Sequence, residues 1–182
     1  MKYHKEGHYH LYNRGVDRRD IFFDNRDYLF FLKRFKLFKT RYKVSVISYC
    51  LMPNHFHLFL KQNSEKHSIG KMIGDLTNSY TKAINVKYER IGVLFEGPTK
   101  SKSVEENSHF LWLVKYILTN PVRAGLSQKV EDWEYSSAQD LLGLRDGTLV
   151  EKGEVLSWFE SPSHFSDFIR DEGLKFDYSI FF

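Results

Sequence analysis

Residues 44–60 constrain the fold more than any other stretch. Val44–Leu51 (VSVISYCL) and His55–Leu60 (HFHLFL) are two β-rich runs separated only by the turn Met52-Pro53-Asn54. So short a connection joins antiparallel neighbours, so the pair is expected to form a hairpin. His8–Arg14 (HYHLYNR) also alternates and reads as a strand ended by Gly15. A helix is expected from an Asp24 N-cap to about Lys39, its apolar positions Tyr28, Phe31, Leu32, Phe35 and Phe38 following helical spacing. A second amphipathic stripe runs through Ile69, Met72, Ile73, Leu76, Tyr80, Ala83 and Ile84, weakened locally by Gly70 and Gly74. Gly92–Phe95 is a short strand candidate, and Lys100–Ser103 another beyond the Gly97-Pro98 turn. Ser103 with Glu106 three residues on reads as a capping box opening a helix that runs to about Thr119, where Pro121 is expected to stop it.

The order strand, helix, strand, strand, helix, strand, helix predicts an α+β chain. Its first six elements make a ferredoxin-like split βαβ unit, an antiparallel sheet with helices on one face, followed by a further helix. Residues 1–142, which include a short helix expected at Ser136–Leu142, are assigned to this domain, and 143–182 to an acidic C-terminal extension without a predicted structure. The 182 residues contain one cysteine, Cys50, so no intrachain disulfide can form, and no apolar run nears the ~20 residues of a membrane span. A reducing cytoplasm is the expected compartment.

Charge divides the chain. Residues 1–129 carry 23 Lys/Arg against 11 Asp/Glu, whereas residues 130–182 carry 4 against 12. A basic body suits a polyanionic partner such as nucleic acid, and the surplus of rings (16 Phe, 11 Tyr, 3 Trp) suits both a core and base stacking. The acidic segment either folds back on the basic body or keeps the protein soluble.

Two places carry candidate chemistry. On a strand, His55 and His57 share a face while Phe56, Leu58 and Leu60 face the core. Such a pair can hold one divalent metal through neutral ring nitrogens, or it can be two half-exposed histidines on a solvated sheet face. On the helix after residue 103, His109, Trp112, Tyr116 and Asn120 fall on one stripe beside the apolar stripe of Phe110, Leu113, Val114 and Ile117. Tyr116 and Asn120 can therefore reach one site, or Tyr116 is a rim aromatic and Asn120 a cap before Pro121.

The blocks LMPNHFHLFL (51–60), YILTNPVRAGL (116–126), YHLYNRGVDRRDIF (9–22), GVLFEGPTKSKSV (92–104) and WEYSSA (133–138), in this order, resemble those of REP-associated tyrosine transposases of the HUH type. The resemblance implies single-stranded DNA cleavage and strand transfer at hairpin DNA without ATP, with Tyr116 as nucleophile. It also implies Mg²⁺ or Mn²⁺ held by His55, His57 and Asn120. The implied location is the bacterial cytoplasm, at the nucleoid. The state is monomer or homodimer, and REP-associated members point to a monomer with its site in one chain. Arg14, Arg18 and Arg19 after the first strand, Lys100 and Lys102 before the tyrosine helix, and Arg123 after it are the candidate DNA contacts. One departure stands out: Glu96-Gly97-Pro98 occupies the place where many members carry an arginine after FQG. The competing readings are a replication initiator or relaxase, a non-catalytic DNA- or RNA-binding module of ferredoxin-like fold, and an unrelated metal hydrolase.

Overall fold

The computed structural model describes residues 2–105, 107–171, 173 and 177–181, the side chains of 107, 108, 180 and 181 excepted. Four strands, β1 (His8–Arg14), β2 (Val44–Met52), β3 (His55–Gln62) and β4 (Lys100–Val104), form one sheet in the order β2-β3-β1-β4. All neighbours are antiparallel. α1 (Asn25–Tyr42) joins β1 to β2, and α2 (Ile69–Lys87) joins β3 to β4. This is the expected split βαβ arrangement. The Gly92–Phe95 strand is not formed: within that stretch only Phe95 bridges, to Gly15.

Local chemistry sets the ends of α1. Asp24 accepts from the Asp27 backbone N–H, and Asp27 returns the bond, closing a capping box. The helix outlasts its predicted end and stops where Lys43 adopts a left-handed conformation (φ 52°), after which β2 begins at once. α1 and α2 cover one face of the sheet, where Phe31 meets Phe56 and Tyr80 at ring-centroid distances of 5.6 and 5.1 Å. The opposite face, which would otherwise leave Phe59 and the β2 side chains wet, is covered by α3 (Asn107–Arg123). Phe110 packs on Phe59 at 4.9 Å, and Leu113, Val114 and Ile117 are fully buried. Each such burial is worth ~1.5–3 kcal/mol.

The end of α3 differs from expectation. Pro121 lies inside the helix, which continues to Arg123. The stop comes from Gly125, left-handed at φ 70°. Its N–H bonds to the Val122 carbonyl while that of Leu126 bonds to Pro121, the double closure of a Schellman motif. Glu106 of the predicted capping box lies outside the described residues.

Residues beyond 123 return to the sheet. Leu51 N–H donates to the Tyr135 carbonyl and Ser137 N–H to that of Tyr49. α4 (Ala138–Leu141), α5 (Lys152–Leu156) and α6 (Pro162–Arg170) follow. The acidic segment folds back on the basic body: Lys39 holds the Leu149 carbonyl and Glu151, and Glu154 meets His8 and Lys61. Val155 and Phe165 are fully buried in the common core. No helix among the described residues is long and apolar enough to cross a membrane.

Candidate active site

The site follows from strand alternation. β1 pairs with β3 so that Tyr12 faces His57 and Arg14 faces His55. His10, Tyr12, His55 and His57 therefore emerge on the face that α3 covers, while Leu11, Phe56 and Leu58 enter the opposite core. From α3, Tyr116 reaches the same place. Its ring lies 5.4 Å from that of His57 and 6.4 Å from that of His10, edge-on to both. A cleft of about 510 Å³ is lined by Tyr12, Asn13, Arg14, Arg18, Asn54, His55, Phe56, His57, Glu96, Pro98, Lys100 and Tyr116.

The β1–α1 loop delivers the arginines. Gly15 N–H donates to the Asn54 carbonyl, and the Ile21 and Phe22 N–H groups donate to that of Pro53, which stitches the loop to the hairpin turn. Gly15 is required for this approach, because a Cβ there would lie 2.0 Å from the Arg19 carbonyl oxygen. Arg14 makes a bidentate pair with Glu96 across the cleft mouth. The carboxylate thus stands in the cleft itself, where it neutralises the Arg14 charge. Lys100 lies 5.8 Å over the Tyr12 ring.

Both imidazoles are held neutral. Burial pushes His55 down to about 4, with the Arg14 charge acting in the same direction. Burial also sets His57 well below the usual histidine range, reinforced by His10 and His55. A neutral ring is the form that ligates metal. Tyr116 moves the other way: burial raises it, while a hydrogen bond from the Asn120 side chain and the Arg123 charge work against that rise.

Of the ten residues singled out in the sequence, His55, His57, Tyr116, Arg14, Arg18 and Lys100 line one cleft. Asn120 is buried one turn beyond Tyr116, its amide donating to the Tyr116 carbonyl at 3.2 Å, and does not line the cleft. The Arg123 guanidinium stacks between the Tyr116 and Tyr178 rings, 5.2 and 4.7 Å from their centroids. Arg19 pairs with Asp17 in solvent, and Lys102 pairs in register with His10 on β1; neither lines the cleft. His10, Tyr12 and Asn54 were not singled out. The HYHLY alternation puts His10 and Tyr12 on one face, but only the β1–β3 register shows that this is the histidine face.

A ferredoxin-like sheet that brings a paired-histidine strand and a helix-borne tyrosine into one cleft with basic residues at its mouth is the build of an HUH tyrosine transposase. The chain belongs to the IS200-like transposase family, whose model matches residues 3–120; it is a DNA-cleaving enzyme of DNA transposition. Its fold is similar to a solved structure described as a REP-associated tyrosine transposase bound to a REP hairpin. The TM-score is 0.69 at 15% identity, with 83% of this chain and 94% of that one covered. A crystal structure of a putative transposase from Deinococcus radiodurans R1 aligns over 73% of this chain and 98% of that one, at 16% identity and a TM-score of 0.45. No curated protein matches the sequence.

Proposed function

We propose that the protein cuts and rejoins single-stranded DNA at hairpin-forming ends, with Tyr116 as nucleophile and Mg²⁺ or Mn²⁺ as cofactor. The observation that carries this reading is the meeting of both imidazoles and the Tyr116 phenol in one cleft of a single chain. It also favours a monomer that works in cis. The hairpin bound by the structural neighbour supports the choice of substrate.

The donor set, borderline imidazole nitrogens completed by oxygen ligands, fits a divalent cation such as Mn²⁺. Two neutral imidazoles on one strand face are suitable ligands, and the remaining positions suit water and phosphate oxygens. Among the described residues no group of three or more His, Cys, Asp and Glu side chains converges. The resemblance implies Asn120 as a third protein donor, which would require its Oδ1 to turn towards the cleft. Bound there, the cation supplies Lewis-acid polarisation of the scissile phosphate.

The chain's own groups do the rest. The Tyr116 Oη attacks phosphorus and the bond to the 3′ oxygen breaks. The phenolic proton ends on that oxygen, leaving a 5′-phosphotyrosine and a free 3′-hydroxyl. Attack by another 3′-hydroxyl reverses the step and joins new ends, so no nucleotide hydrolysis is needed. Because burial holds the phenol protonated, cationic charge must favour its ionisation, and Arg123 already lies over its ring. Arg18 and Lys100 hold phosphates at the cleft, Arg14 joins them by exchanging the Glu96 carboxylate for a phosphate, and Arg19 and Lys102 contact flanking DNA.

Incubation with Mn²⁺ and a single-stranded hairpin should yield a denaturation-resistant protein–DNA adduct that Tyr116→Phe abolishes. Equal adduct from both proteins would refute the nucleophile. Retarded but uncut DNA would identify a binding module, and cutting without an adduct a hydrolase.

A further inference from the structure

The two histidines of β3 share an arrangement that metal ligation alone does not explain: each has its Nδ1 engaged by a neighbouring side chain. His55 Nδ1 lies 2.6 Å from Asn54 Oδ1. The Asn54 amide cannot be turned the other way without loss, because its Nδ2 donates to the Arg18 carbonyl at 3.2 Å. An amide oxygen only accepts, so the proton sits on His55 Nδ1 and the lone pair on Nε2. His57 Nδ1 lies 3.0 Å from His10 Nε2. His10 is fully buried on β1. Its ring is stacked between neighbours, 5.0 Å from Tyr12 and 5.2 Å from His57. Both atoms of the His10–His57 contact are ring nitrogens, so either ring can carry the shared proton, and only the His55–Asn54 contact has a fixed direction.

We infer that Asn54 is a positioning residue that fixes His55 in the Nδ1–H tautomer, so that this ring presents its Nε2 lone pair to the metal. The inference rests on the metal reading given above and adds the outer partner that selects the ligating nitrogen. The tautomer of a ligating histidine is set by the bond its other nitrogen makes. Free imidazole side chains prefer the Nε2–H form, which would point a hydrogen at the cation. Asn54 also ties this selection to the loop that carries Arg18.

The first test needs no variant and no metal. In the long-range ¹H–¹⁵N spectrum of the metal-free wild type, His55 should show the Nδ1–H pattern. An Nε2–H pattern at that ring overturns the inference. The second test measures Mn²⁺ affinity through the paramagnetic relaxation of water protons. Asn54→Ala removes the acceptor and should weaken Mn²⁺ about 10–100-fold. Asn54→Asp, which keeps an acceptor oxygen, should recover most of the loss. Unchanged affinity in Asn54→Ala, beside a wild type that binds and a His57→Ala that does not, defeats the positioning role alone. A wild type that binds no Mn²⁺ defeats the metal reading and this inference with it.

Discussion

At the scale of single residues, burying His55 and His57 couples the fold to pH. Both rings have folded-state values below the ordinary histidine value of 6.5. Between that value and about 4, the unfolded chain takes up protons that the folded chain refuses. Stability is therefore complete above pH 6.5 and falls as pH drops towards 4. At about 1.4 kcal/mol per pKa unit, the loss between pH 7 and pH 5 is at most about 2 kcal/mol per ring. Urea midpoints of the metal-free protein should drop over this interval. The double variant His55→Gln, His57→Gln should flatten that slope, and a slope unchanged by it would show that other groups are responsible. The identity of this pair, and of Tyr116, was legible in the sequence because alternation and helical spacing are local properties. His10 and Asn54 were not, since which ring nitrogen each meets depends on contacts across strands and turns.

At the scale of elements, the end of α3 decides where Arg123 can point. Gly125 closes the helix at φ 70°, a conformation that costs an L side chain roughly 1 kcal/mol or more. Gly125→Val should lower the thermal midpoint and disturb Arg123 over the Tyr116 ring, read as slower formation of the protein–DNA adduct. A variant as stable as wild type would mean that the turn tolerates another closure. Pro121 misleads a local reading for a definite reason. A proline lacks only its own N–H, and the chain can remain helical beyond it when a nearby Schellman closure satisfies the last carbonyls. α1 was legible at its start because Asp24 caps it through neighbours in sequence. α5 and α6 were missed because they are 5 and 9 residues long, too short to persist without tertiary packing. Ser161 before Pro162 was the one visible start signal, an N-cap followed by proline at the first turn.

At the scale of the whole molecule, the charge division becomes an internal contact, as Lys39, Lys61 and His8 of the basic body hold the segment around Glu151 and Glu154. That segment also contributes Phe165 to the common core. Phe165→Ala should cost about 3–5 kcal/mol and shift the single melting transition of the whole chain by roughly 6–20 °C. Two separate transitions, with the first alone affected, would show instead that the segment folds apart from the sheet. Lys115 supplies the last of these ties. It precedes Tyr116, is 4% exposed, and gives its ammonium to the Phe168 and Asp171 carbonyls at 2.7 and 2.6 Å. Anyone shortening the chain ahead of Phe168 would strand that cation in an apolar setting next to the nucleophile, so a trimmed form calls for an uncharged residue at 115 as its companion change.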